Sequence, residues 1–296
     1  MTVGGAAAGS LRVGVTQWHA TADVEANLKI ALDLVGRAAA DGARLVVLPE
    51  NGLLLGTNAQ MRARPLAEDG PEVTALAEAA AAHGVTVVLG GMKNATPDGV
   101  FNSAVVLGPD GRLLGRYDKI HLFDARVGGQ SFEASSVEQA GAQPVLLDLG
   151  GTLVGLTICY DVRFPELARA LALAGAEVLL VPSAFTYLTG RAHWHTLLRA
   201  RAIENGCYVV APATVRSPSG AGHDPFETYG HALAVSPWGD VLLDLEERSP
   251  AVEVVELDLA AARDVRASLP VLAGTKPVAY RTSPQTISVP ILEEQR

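Results

Sequence analysis

The sequence predicts an α/β fold with mixed sheets. Short apolar runs of strand length alternate with helix-period segments almost from end to end. Some runs are continuously apolar, such as 45–48, the pattern of strands covered on both faces. Others flank turn-forming residues, Pro109-Asp110-Gly111, Gly150-Gly151 and Pro237-Trp238-Gly239-Asp240, as antiparallel hairpins do. About ten strand candidates are too many for one comfortable open sheet, so two sheets are expected.

In chain order, 11–16 is the first strand. Residues 23–40 follow with Leu28, Ala31, Leu34, Val35 and Ala38 at helical spacing, and Asp41-Gly42 ends them. The strand 45–48 precedes an Ala-rich helix, 71–83, with Pro71 at its start and Gly84 beyond its end. Another buried strand, 85–89, leads to two antiparallel pairs, 103–107 with 113–117 and 143–148 with 153–158. A helix at 165–174, a strand at 178–181, a helix at 192–205 and a strand at 208–211 come next. The pair 232–235 and 241–245, a strand at 252–257 and a helix at 260–268 complete the pattern. Turn residues concentrate at 128–136 and 217–225, which are expected to be loops. With no internal repeat and no interior linker, the expectation is one domain over 11–270, a flexible tail at 1–10 and an arm at 271–296.

Composition narrows the function. The 296 residues carry 23 Lys and Arg against 32 Asp and Glu, a net charge of −9, and 49% are hydrophobic. That apolar content excludes a disordered chain, and two cysteines exclude a disulfide scaffold. The acidic balance argues against nucleic acid or an anionic membrane as a partner, though not against an anionic small substrate. The N-terminus lacks a basic segment and an apolar core, and no stretch of about 18 apolar residues occurs, so neither a secretory signal nor a membrane span is expected. A cytoplasmic protein with reduced thiols is the expectation. No Gly-x-Ser-x-Gly elbow, phosphate-binding loop or dinucleotide fingerprint is present. The pair His193-x-His195 lies on a predicted helix, where positions two apart diverge, so it makes a poor metal chelate.

Three polar residues follow apolar strands, where α/β sheets place their sites. Glu50 follows Leu48-Pro49; partial desolvation there makes a carboxyl a usable base, while an ordinary loop glutamate is the alternative. Lys119 follows Tyr117-Asp118, where an ammonium can stabilise an oxyanion or simply pair with Asp118 or Asp124. Cys159 lies between a strand and a helix, near backbone N–H groups, as a nucleophile or a buried structural thiol. Cys207, in Asn205-Gly206-Cys207-Tyr208, fits the core. Asp161 fits a helix cap ahead of Pro165.

Taken in order, these segments resemble the Glu-Lys-Cys triad of the nitrilase superfamily, the carbon–nitrogen hydrolases. The resemblance runs from about Leu11 to Pro270. It includes Ile158-Cys159-Tyr160-Asp161, Arg163-Phe164-Pro165-Glu166-Leu167, Pro182-Ser183-Ala184-Phe185-Thr186, Ala192-His193-Trp194, Arg199-Ala200-Arg201-Ala202-Ile203-Glu204-Asn205, Tyr229-Gly230-His231 and Pro237-Trp238-Gly239. The Pro-Ser-Ala-Phe and Ala-His-Trp blocks resemble the amidase branch, that of deaminated glutathione amidase and omega-amidase, more than the nitrile-cleaving branch.

The resemblance implies a four-layer αββα sandwich with two mixed β-sheets, packed as a homodimer or larger assembly, with the arm 271–296 reaching the partner. It implies Glu50 as base, Cys159 as nucleophile, and Lys119 with the Tyr160 backbone N–H as oxyanion donors. A second glutamate fits Glu133, fourteen residues after Lys119, to orient Lys119 or the substrate amide; a surface charge is the alternative. Arg163 is implied as the partner of a substrate carboxylate, or otherwise pairs with Glu166 or Asp161, and Phe185 and Thr186 would line the pocket. The resemblance further implies hydrolysis of a linear amide through a thioester, using water and no cofactor or metal. Carboxylate-bearing ω-amides or a deaminated glutathione-like amide lead as substrates. N-carbamoyl amide hydrolysis, nitrile hydrolysis and a non-catalytic assembly subunit are the alternatives. The chain departs from the branch at His195, where Glu is usual, at Ala232, where Ser is usual, and in the loop 216–227.

Overall fold

The computed structural model describes residues 9–217, 225–283 and 286–287. Its first half comprises β1 (Ser10–Trp18), α1 (Val24–Ala40), β2 (Leu45–Val47), α2 (Asn58–Ala63), α3 (Pro71–His83), β3 (Thr86–Thr96), β4 (Gly99–Leu107) and β5 (Leu113–Asp118). A small hairpin, β6 (Asp124–Val127) and β7 (Gln130–Glu133), leads to β8 (Val145–Asp148), β9 (Leu153–Leu156), α4 (Pro165–Leu173), β10 (Val178–Leu180) and α5 (Tyr187–Asn205). The chain continues through β11 (Tyr208–Ala211), β12 (Ala213–Thr214), β13 (Leu233–Val235), β14 (Val241–Asp244), β15 (Ala251–Asp258), α6 (Leu259–Ser268) and α7 (Pro277–Tyr280).

Two mixed sheets result. In the first, the order is β12-β1-β2-β3-β4-β5, with β15 also paired to β1; in the second it is β14-β13-β11-β10-β9-β8. Neighbours β1, β2 and β3 are parallel, as are β9, β10 and β11, while the outer hairpins are antiparallel.

The strand period of two sorts the apolar side chains into layers. Val13, Val15, Val47, Val88 and Val106 join one core with Val154, Leu156 and Leu180 of the second sheet. Their alternates Val46, Leu48, Val87, Leu89 and Val105 pack with Leu34, Val35, Ala38 and Leu76 of α1 and α3. Beyond the second sheet, α4 and α5 contribute Leu171, Trp194 and Leu198. The architecture is the αββα sandwich.

Four local expectations change. Residues 128–136 contain the β6–β7 pairing and a 3-10 turn, Ala134–Ser136, not a plain loop. Helix α5 starts at Tyr187, ahead of the expected 192; Gly190 interrupts the apolar pattern in its first turn and hides that start in the sequence, and a Cβ there would sit 2.3 Å from Tyr229 Cγ, so close packing demands glycine. Strand β3 continues past Leu89 through an irregularity at Gly90-Gly91 to Thr96, pairing Lys93 with Asn102 in register. Ser10, assigned to the tail, pairs with Asp258 as the start of β1. Residues 1–8, 218–224 and most of 284–296 lie outside the described residues, and with them most of the expected tail and parts of the loop 216–227 and the arm. Among the described residues, no helix is long and apolar enough to cross a membrane.

Candidate active site

Both sheets deliver polar residues to one cleft at their carboxyl ends. Glu50 stands just beyond β2, Lys119 just beyond β5 and Cys159 shortly after β9. All three are buried. Lys119 Nζ donates to Glu50 Oε1 at 2.6 Å, and Asn102 Nδ2 on β4 donates to the same oxygen at 2.9 Å. The other carboxylate oxygen accepts the Ala184 N–H at 2.9 Å, which ties the first sheet to the loop after β10. The Lys119 backbone is itself fixed by its N–H to Asn102 O at 2.8 Å.

Cys159 opens a 3-10 turn, Cys159–Arg163, and has φ 47°, the left-handed region that a side-chain-bearing residue enters only under local constraint. Its N–H donates to Pro182 O at 2.9 Å. The following amide, of Tyr160, is at the N-terminal end of the turn, where N–H groups lack intrahelical acceptors. Asp161 does not cap α4, whose N-cap is Phe164 with no side-chain bond; it turns inward to join two segments instead. Its carboxylate accepts from Tyr117 Oη at 2.7 Å, Ile158 N at 2.9 Å and His121 N at 3.1 Å, and it meets His121 Nδ1 at 2.7 Å. These bonds join the Lys119 segment to the Cys159 turn.

The charges set one another. Burial works to raise the Glu50 carboxyl, but the ammonium groups of Lys119 and Lys93 outweigh it and hold it at about 2. Burial disfavours the Lys119 ammonium, yet the surrounding negative charge, Glu50 foremost, pushes its pKa above the ordinary lysine range. Burial, reinforced by the Glu50 carboxylate and opposed by Lys119, drives the Cys159 thiol well above its usual value. The resting arrangement is an ionised Glu50–Lys119 pair beside a neutral thiol.

The cleft also holds a second buried ion pair, Lys93 with Glu138. Asn102 Nδ2 reaches Glu138 Oε1 at 3.5 Å as well as Glu50. Lys93 and Glu138 escape the sequence reasoning; the available signal was a lysine in a strand-length extension of an apolar run, with polar neighbours that resemble a loop. Glu133 lies elsewhere. It ends β7 at the cleft's rim, exposed, with Ser131 Oγ 3.4 Å from its carboxylate, and it does not touch Lys119. The second carboxylate whose charge acts on Lys119, after Glu50 and alongside Cys159, is Glu138.

On the far side of Cys159, a second lobe is lined by Arg163, Phe185 and Thr186. The Arg163 guanidinium lies 5.0 Å from the Phe185 ring centroid and 5.9 Å from that of Tyr160, and contacts His193 Nδ1 at 3.3 Å. Among the described residues it pairs with no carboxylate, neither Glu166 nor Asp161. Thr186 Oγ1 meets Thr189 Oγ1 at 2.7 Å. Cys207 is buried away from the cleft, its thiol 3.2 Å from Ala176 O.

Known proteins share this plan. A deaminated glutathione amidase of Synechocystis sp. (strain PCC 6803 / GT-S) is 39% identical over 252 residues, 83% of this chain and 91% of that protein. The solved structure of the C. elegans NitFhit protein matches with a TM-score of 0.83 at 34% identity, covering 92% of this chain and 66% of that one. A mutant of the amidase from Nesterenkonia sp. AN1, showing covalent addition of the acetamide moiety of fluoroacetamide at the active site cysteine, matches with a TM-score of 0.73 at 29% identity, over 90% of this chain and 98% of that one. The carbon-nitrogen hydrolase family model matches residues 12–267, essentially the whole sandwich from β1 to α6, and the chain belongs to that family.

Proposed function

We propose that the chain is an amidase that hydrolyses a linear carboxamide bearing a carboxylate, through a thioester on Cys159, with release of ammonia. The convergence of Glu50 and Lys119 with Cys159, which lines both lobes, carries this reading. The relatives named as amidases support it, as does the covalent adduct on the cysteine of the Nesterenkonia amidase.

In this mechanism Cys159 Sγ attacks the amide carbonyl carbon while Glu50 takes the thiol proton. A carboxylate held near 2 is a weak base towards a free thiol. The substrate changes this: as the carbonyl oxygen gains charge it recruits the Lys119 ammonium and the Tyr160 N–H, and Glu50 recovers basicity as Lys119 turns from it. Glu50 then gives the proton to the leaving amine and ammonia departs. Water, activated by Glu50, attacks the thioester; the acid is released and the thiol regains its proton. For the second carboxylate, burial and closeness to Lys119 favour Glu138, with Glu133 meeting substrate at the mouth. Arg163, stacked on Phe185 and without a carboxylate partner among the described residues, is suited to the substrate's own carboxylate. Short α-keto ω-amides and deaminated glutathione-like amides meet that requirement.

Ammonia release from such amides, from N-carbamoyl amino acids and from simple nitriles tests the reading. Carboxylate-bearing amides should be turned over fastest, and Cys159→Ala should abolish turnover with its circular dichroism unchanged. Arg163→Ala should lower kcat/KM for carboxylate-bearing amides by roughly 10–100-fold, the worth of a charge-assisted bond, and leave neutral amides little changed. An active Cys159→Ala variant would sink the thioester mechanism. Equal losses on both amide classes would remove Arg163 from recognition.

A further inference from the structure

His195 stands on α5, where its ring leaves the helix towards the β13–β14 hairpin. Its Nε2 lies 2.9 Å from Asp244 Oδ2 at the end of β14. On its other side Asp244 meets His231 Nδ1, 3.0 Å from Oδ1 and 3.1 Å from Oδ2. The three donor atoms all lie within 4.8 Å of one another. Residues 195, 231 and 244 are far apart in the sequence, so no spacing pattern reveals the cluster; the pair visible there, His193-x-His195, is not the one the fold assembles.

The frame around the cluster is rigid. His231 has φ 55°, its N–H donates to Glu246 O at 2.7 Å, and its carbonyl accepts Trp194 Nε1 at 2.8 Å. The Tyr229 ring stacks on the His231 ring, with centroids 4.3 Å apart and planes 20° from parallel. The Glu246 N–H donates to Asp244 Oδ1 at 2.7 Å. Backbone and ring contacts thus hold two imidazole nitrogens and a carboxylate together before any ligand arrives, as outer-shell contacts do in metal sites.

The geometry points to a divalent transition-metal site, with Zn2+ the best match, held by His195 Nε2, His231 Nδ1 and Asp244. Zinc accepts imidazole nitrogen and carboxylate oxygen at about 2.0–2.2 Å, which sets neighbouring tetrahedral donors roughly 3.3–3.5 Å apart. The two His–Asp edges, 2.9 and 3.0 Å, are hydrogen bonds shorter than that spacing by about 0.3–0.6 Å, so an ion would replace them with a small spreading of the side chains. Two neutral donors and one anion suit a borderline-soft dication, whereas calcium and magnesium require more oxygen ligands. All three side chains are partly exposed, so water has access as a fourth ligand. The ion would clamp α5 to the second sheet's hairpin. It would also brace the pocket wall, since the Tyr229 N–H donates to Phe185 O at 2.8 Å.

Purified full-length protein, stripped with chelator and titrated with Zn2+ by calorimetry, tests the assignment, with Co2+ as a spectroscopic probe. One equivalent of Zn2+ should bind and raise Tm, and Co2+ should give the visible bands of a low-coordinate nitrogen–oxygen site. His195→Gln keeps an N–H for Asp244 but removes the imidazole. It should melt with the parent when metal-free and bind Zn2+ about 10–100-fold more weakly or not at all. Asp244→Asn should weaken binding similarly, and His193→Ala should leave it unchanged. The assignment is overturned if Zn2+ shows no saturable binding in molar excess, if His195→Gln and Asp244→Asn bind like the parent, or if His193→Ala abolishes binding, which would mark a surface chelate instead.

Discussion

At the residue scale, the cleft carries two buried ammonium groups and two buried carboxylates, coupled through one amide. Asn102 donates to Glu50 and to Glu138, and Lys93 adds to Lys119 in holding Glu50 ionised. Lys93 acts here on the base and has no place in the reacting atoms proposed. Removing its charge by Lys93→Met should let the Glu50 carboxyl rise. A base that protonates at higher pH moves the acid limb of kcat/KM to higher pH. The same change strands Glu138 as a buried charge without its partner, which costs about 3–5 kcal/mol of stability. Replacing both members, Lys93→Met with Glu138→Met, removes both desolvated charges and should recover most of that loss. A pH–rate profile alongside urea unfolding of the two variants separates the effects; an acid limb that stays fixed in Lys93→Met would exclude Lys93 from tuning the base.

At the scale of elements, the site depends on how the segment after β5 is held against the turn after β9. Asp161 makes that joint: it bonds Tyr117 and His121 on one side and the Ile158 N–H on the other. In Asp161→Asn an amide N–H2 replaces one acceptor oxygen and faces donors. Stability should fall by about 1–3 kcal/mol. Because the joint positions Lys119 relative to Cys159, kcat should fall more than KM rises; steady-state kinetics and a thermal melt check both. The elements that bear Glu50, Lys119 and Cys159 were legible in the sequence because each residue interrupts or follows an apolar run, and a helix-or-strand period locates such boundaries. Lys93 and Glu138 were not. The far half of β3 carries Lys93, Asn94 and Thr96, whose polarity matches a loop, and only pairing with β4 shows it to be strand. Glu138 lies just beyond a 3-10 turn, where sequence cannot tell an inward carboxylate from a solvated one. The His195–His231–Asp244 cluster was hidden for the same reason: tertiary placement alone brings it together.

At the scale of the molecule, Glu50 joins catalytic placement to the stability of the sandwich. It stands on the first sheet, and its carboxylate accepts from Ala184 on the second and from Lys119. Its folded pKa of about 2 is below the ordinary 4.5, so the stability it contributes is present above about 4.5 and is lost as pH falls towards 2. Lys119 has the opposite sign: its pKa is raised, so its contribution is complete below the ordinary 10.5 and is lost only as pH rises through the higher folded value. Both contributions are therefore in place from about pH 4.5 to 10.5, and the pair adds no slope across neutrality. Below that window the parent should lose stability faster than Glu50→Gln, which has no proton to gain at this position. Urea unfolding at neutral pH and at about pH 3 measures the difference. Glu50→Gln should start less stable at neutral pH, with Lys119 and Lys93 deprived of a counter-charge, and should show the smaller drop on acidification. Equal drops in the two proteins would mean that other carboxylates set the acid limit and that the link between the sheets at Glu50 does not depend on its charge.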